Sequence, residues 1–208
     1  MIVPTTHRLE NGDRLDRADF ECLCELQQVE NAELIHGVVR MNAAALRFRQ
    51  HGEPHSFILG WLIAYKAASP DVGVADNVSV RFDEKNLPQP DALMFLPLEQ
   101  GGGCRVAEDG YLEGVPELIV EIAASSVSFD AHEKKDLYEL HGVREYILWR
   151  TEDHEIDWFL LRNSRYVKQS IDPKGLLRSE VFPGLVLDTV AMLNGDIKAV
   201  LAALPRMF

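Results

Sequence analysis

The chain has 208 residues, 47% hydrophobic and 26% charged, which is enough for a full core and ordinary for a globular protein. Its formal net charge of −12 weighs against broad, sequence-independent binding of nucleic acid, which depends on Lys and Arg neutralising phosphates. No apolar run approaches the roughly 18 residues of a membrane span, the opening MIVPTTHRLENGDR is charged where a signal peptide is apolar, and Cys22, Cys24 and Cys104 fit neither a disulfide framework nor a zinc spacing. A cytoplasmic protein with buried or incidental thiols is expected, as one domain over 1–208 with a core of about 15–170 and a helical tail of about 188–204.

Asp16 is placed to cap a short helix near Asp16 to Gln28, with apolar residues at Phe20, Leu23, Cys24 and Leu26. The segment AELIHGVVRM reads as a hairpin or one bulged strand, with Gly37 supplying the permissive backbone. From His55 to Ala68, Phe57, Ile58, Trp61, Leu62 and Tyr65 follow helical spacing after Pro54, and Ser69-Pro70 stops the helix. Val72 to Phe82 reads as a strand broken near Asp76-Asn77, followed by a turn and by a strand that begins at Pro90-Asp91.

Pro97 to Val115, rich in glycine, lacks the phosphate-loop pattern and is expected to be a mobile surface loop of the kind that can act as a lid. Pro116 to Ile122 reads as a strand buried on both faces, interrupted by Glu121, whose carboxylate there must be paired, protonated or bound to a metal. Phe129 to His141 reads as a helix closed by Gly142. Three strands near 145–150, 155–161 and 165–169 have connections too short for parallel crossovers and predict an antiparallel meander. Leu185 to Leu187 predicts a last strand before a helical tail capped at Asp188-Thr189. The order of elements predicts an α/β or α+β domain with a central mixed sheet.

Three residues could together carry chemistry. Asp91, at the head of one apolar run, and Glu121, near the end of another, could supply hard oxygen ligands to a divalent cation, and the Ile122 main-chain carbonyl is a natural third ligand. Lys134 could offset charge on a transition-state phosphate or orient the attacking water. Taken singly, Asp91 could cap a turn, and Lys134, amid Asp130, His132, Glu133, Lys135 and Asp136, reads as a solvated surface charge.

The runs QPDALMF, GVPELIVEI and FDAHEKKDLYELHGVREYILW, with AELIHGVV upstream, resemble the Uma-two family of nucleases, a branch of the PD-(D/E)xK restriction-endonuclease-like superfamily. The likeness runs from about Leu15 to Val167 in one order. It implies a central mixed β-sheet flanked by helices, Mg²⁺-dependent endonuclease cleavage of phosphodiesters (Mn²⁺ as a substitute), nucleic acid, DNA first, as substrate, no membrane partner, and a homodimer. By motif, Asp91 and Glu121 match the acidic ligands, Glu33 the acid of the E-L-I segment, and Asp130 and Tyr138 the other positions of the lysine-bearing helix. Ala123 stands where the basic pattern has its lysine, so Lys134 matches the variant in which the helix provides it. His55 matches a histidine common in the family, and His36 stands where an acid is common. Two other readings fit the same residues: a nuclease-fold binding or assembly module with weak or no turnover, and a hydrolase of non-nucleic phosphoesters.

Overall fold

The computed structural model describes residues 7–41, 47–124 and 129–204, with backbone alone for 129–131. Its chain gathers into two compact units with interleaved segments. The first takes the chain up to Ala45 with Val78–Gln89 and Arg105–Gly114; the second takes Leu46–Asn77, Pro90–Cys104 and Val115 onward.

In the first unit the Asp16 side chain accepts the Asp19 N–H at 3.0 Å and starts helix α1, Arg17–Gln27. AELIHGVVRM is a true hairpin: β1, Ala32–Ile35, pairs antiparallel with β2, Val38–Met41. His36 and Gly37 form the two-residue turn with φ of 52° and 73°, the left-handed values that match the twist of paired strands. Phe20, Leu23, Leu34, Val39 and Leu87 pack into this unit's core.

The second unit is built on a six-stranded mixed sheet. Its strands are β3, Gly73–Asp76; β5, Ala92–Phe95; β8, Leu118–Ala123; β9, Glu145–Arg150; β10, Glu155–Arg162; and β11, Arg165–Lys168, in the order β11-β10-β9-β8-β5-β3. β9, β10 and β11 form the expected antiparallel meander. β8 and β9 are parallel neighbours, and the helix α3, Phe129–His141, lies between them in the chain, a βαβ crossover. Helix α2, Glu53–Ala68, carries Ile58, Trp61, Leu62 and Tyr65 into a core shared with Met94, Val120, Ile147 and Trp158. A central mixed sheet flanked by helices is the fold class expected from the sequence.

Val72 to Phe82 breaks at the expected place, after Asp76, into two strands. Asn77 takes φ of 48°, and the segment splits into β3, on the edge of the large sheet, and β4, Val80–Arg81, which pairs parallel with β7, Leu112–Gly114. The glycine-rich stretch is more ordered than expected of a mobile loop. It contains a 3₁₀ turn at Leu98–Gln100, β6 at Cys104–Val106, and β7. A Cβ on Gly102 would stand 1.7 Å from the Leu96 carbonyl oxygen, and one on Gly103 2.2 Å from that of Val115, so these glycines allow backbone to pack on backbone. The buried Glu117 carboxylate fastens the same stretch, accepting the N–H groups of Leu96 at 2.8 Å and Gly103 at 2.9 Å.

Beyond the meander, β12, Leu176–Arg178, pairs antiparallel with β13, Val186–Asp188. Asp188 caps α4, Thr189–Leu193, and Asp196 caps α5, Ile197–Ala203. Among the described residues no helix is long and apolar enough to cross a membrane, and Cys22, Cys24 and Cys104 are free thiols.

Candidate active site

The site is assembled where β5 meets β8. Ala92 pairs with Val120 in this antiparallel ladder, so the position before Ala92 and the one after Val120, Asp91 and Glu121, fall at the same end of the pair. The register ends there, and the Asp91 side chain continues it: its Oδ2 accepts the Ile122 N–H at 2.6 Å. The N–H and C=O of one strand residue point to the same edge, so the Ile122 carbonyl faces the edge that Asp91 occupies.

Glu121 is the one carboxylate in the otherwise apolar run of β8, and its side chain is 10% exposed. Its Oε1 accepts the Tyr138 hydroxyl at 2.6 Å and lies 3.1 Å from Lys134 Nζ. Lys134 and Tyr138 are four residues apart on α3 and so reach the same carboxylate oxygen from one helical face. Read alone, Lys134 suggested a solvated surface charge. Its side chain is in fact 12% exposed and ion-paired with Glu121, because α3 returns across β8 before the chain enters β9.

Two histidines complete the surroundings of Asp91. One turn of π-helix, Phe48–Gly52, precedes α2 and places His51 Nε2 3.3 Å from Asp91 Oδ1. The His55 ring stacks on that of His51, with centroids 5.5 Å apart. His55 Nε2 lies 2.8 Å from the Asp91 carbonyl oxygen and 3.0 Å from Asp76 Oδ1, two acceptors to which a protonated Nε2 donates. His55 thus holds the backbone that presents Asp91. Sequence reasoning missed His51, although the spacing His51, His55 at the start of a helix was a signal that both share a face.

Behind the acids, Tyr138 packs against Tyr146 with ring centroids 5.5 Å apart. Burial, with the Glu121 and Asp91 carboxylates nearby, pushes the Tyr146 phenol well above its ordinary range and keeps it neutral. Its hydroxyl has no hydrogen-bond partner among the described residues.

Of the other sequence candidates, Glu33 belongs to the first unit, where its buried Oε1 accepts the Gln89 N–H at 2.6 Å. His36 is an exposed turn residue whose N–H donates to Asn86 Oδ1. Asp130 lies in the first turn of α3, and its side chain falls outside the described residues, as does the connection 125–128.

Among the described residues no group of three or more His, Cys, Asp and Glu side chains is placed to hold a metal. The donor set at the sheet edge, two carboxylates and a main-chain carbonyl, consists of hard oxygens. That fits Mg²⁺, which keeps several waters and takes only one or two carboxylates from a protein.

A mixed sheet with two acids at adjacent strand ends and a helix-borne lysine on one of them defines a nuclease-fold protein of the restriction-endonuclease-like class. The chain belongs to the Uma2 (Uma-two) family, whose model, described as "Putative restriction endonuclease", matches residues 17–190. The fold is similar to that of a crystal structure described as "a putative nuclease belonging to DUF820 from Anabaena variabilis ATCC 29413", with a TM-score of 0.59 and 14% identity over 78% of this chain and 90% of that one. No curated protein matches the chain.

Proposed function

We propose that the protein is a metal-dependent endonuclease that hydrolyses phosphodiester bonds of nucleic acid, DNA first, in the cytoplasm. The observation that carries this reading is the meeting of Asp91 and Glu121 at one end of the β5–β8 pair, with Lys134 3.1 Å from Glu121. Asp91, Glu121 and the Ile122 carbonyl would hold Mg²⁺, or Mn²⁺ in its place. When bound, the ion acidifies a water and offsets charge on the phosphate. The Ile122 N–H fixes the Asp91 carboxylate, and Tyr138 fixes that of Glu121 through its 2.6 Å hydrogen bond. Lys134 contributes a fixed positive charge where the phosphate becomes more negative, in a largely buried setting where such charges act strongly. Homodimerisation is part of the proposal by family resemblance.

The test is Mn²⁺ titration by calorimetry on wild type, Asp91→Ala and Lys134→Ala, with plasmid nicking in the same buffers. Wild type binds and nicks, Asp91→Ala does neither, and Lys134→Ala binds Mn²⁺ with similar affinity while nicking about 10²-fold more slowly. Unchanged Mn²⁺ affinity in Asp91→Ala overturns the ligand assignment. The charge of −12 favours a second reading, a nuclease fold that binds without turnover, and Mn²⁺ binding with no nicking of any substrate would mark it.

A further inference from the structure

Arg47 precedes the π-helical turn and Phe48 and Arg49 open it, and all three are exposed; Phe48 is 70% in solvent. A single exposed phenylalanine is common on protein surfaces. This one is flanked by two guanidinium groups that no carboxylate holds among the described residues. In the same unit Arg150, Arg162, Arg165 and Arg178 are each ion-paired, while Arg144 is exposed and, like Arg47 and Arg49, has no carboxylate partner among the described residues. In a chain of net charge −12, unpaired cations are the groups left to meet a phosphate backbone.

The turn is also pinned to the site. His51 Nε2 reaches Asp91 Oδ1 at 3.3 Å, and the Gln50 carbonyl accepts the Thr151 hydroxyl at 3.0 Å. The basic and aromatic side chains therefore stand less than one turn of chain from the residue that touches Asp91. An aromatic ring can stack on a base only where the base face is open, which a closed duplex does not offer except at its ends.

We infer that Arg47, Phe48 and Arg49 form a strand-holding element for unpaired nucleotides, with the arginines on successive phosphates and Phe48 stacked on a base, so that the substrate is single-stranded or locally opened nucleic acid. This rests on the nuclease reading of the Asp91 site and specifies its substrate class.

The experiment is fluorescence anisotropy in EDTA with labelled 15-residue single-stranded DNA, single-stranded RNA and duplex DNA. Wild type binds at least one single strand more tightly than the duplex. Phe48→Ala weakens single-strand binding about tenfold and duplex binding little, and Phe48→Tyr restores it. Arg47→Ala with Arg49→Ala weakens every nucleic acid and lowers the slope of log affinity against log salt on single strands by about 1.4, two contacts at about 0.7 each. Equal binding by Phe48→Ala and wild type, or a wild-type preference for duplex, overturns the inference. Mn²⁺ affinity separates this failure from that of the nuclease reading. If Asp91→Ala loses Mn²⁺ while Phe48→Ala changes nothing, only the strand-holding element falls. If Asp91→Ala keeps Mn²⁺ while Phe48→Ala loses the strand, the metal assignment falls and the element stands.

Discussion

The Asp91 carboxylate accepts the main-chain N–H of Ile122 at 2.6 Å, so one acid of the site is tied to the very strand that carries the other, Glu121. The Asp91 carboxylate is therefore held against β8 by strand register, the kind of fixed placement that the proposed positioning of a divalent ion would use.

On the proposed reading Asp91 has two duties, and two substitutions separate them. Asp91→Ala removes the acceptor of the Ile122 N–H and is expected to cost about 1–3 kcal/mol, read from the urea midpoint. Asp91→Asn keeps an acceptor oxygen and is expected to unfold near the wild-type midpoint while losing most Mn²⁺ affinity. Equal destabilisation by both would mean that the hydrogen bond contributes nothing.

Glu121 and Lys134 are both largely buried, so removing one partner leaves the other charge uncompensated. Glu121→Gln and Lys134→Met are each expected to cost about 3 kcal/mol, and the double variant less than the sum. Additive losses in that cycle would place the pair in effective contact with solvent.

Glu139 on α3 accepts the Tyr166 N–H of edge strand β11 and pairs with Arg165 at 2.9 Å, which holds its carboxyl below the usual range. A carboxylate with a lowered folded pKa adds stability above the unfolded value of about 4.5, and that contribution is lost as pH falls through the folded value. Glu139→Gln is expected to lower the unfolding free energy at pH 7 by about 1 kcal/mol or less, read from the urea midpoint, with the difference shrinking from pH 5 to pH 3. A constant difference across that range would assign the effect to packing instead.

Much of the fold was legible because its signals are local. Phe129 to His141 stands at the residues the sequence suggested, since Gly142, at φ of 83°, ends the helix by a backbone conformation that glycine adopts freely. The meander followed from connections too short to cross over. Glu121 was conspicuous as a carboxylate in an apolar run. What escaped depends on partners distant in the chain. The break in Val72 to Phe82 near Asp76-Asn77 was legible, but not that its two halves pair with Phe95 to Ala92 and with Leu112 to Glu113, choices no local pattern encodes. Gly102 and Gly103 suggested a loose loop; they are small because the carbonyls of Leu96 and Val115 pass close by. His51 touches a residue 40 positions away through a π-helical turn that has no sequence signature.

β8 has a further consequence. It lies in the interior of the six-stranded sheet, hydrogen-bonded on both edges and buried along nearly its whole length, the setting in which backbone opening costs most of the global unfolding free energy. Glu121 is thus carried by one of the least compliant parts of the molecule, and Asp91 is tied to it through the Ile122 N–H. On the proposed nuclease reading, substrate entry would be accommodated by motion elsewhere, and the chemistry would begin from a geometry whose organisation was already completed during folding.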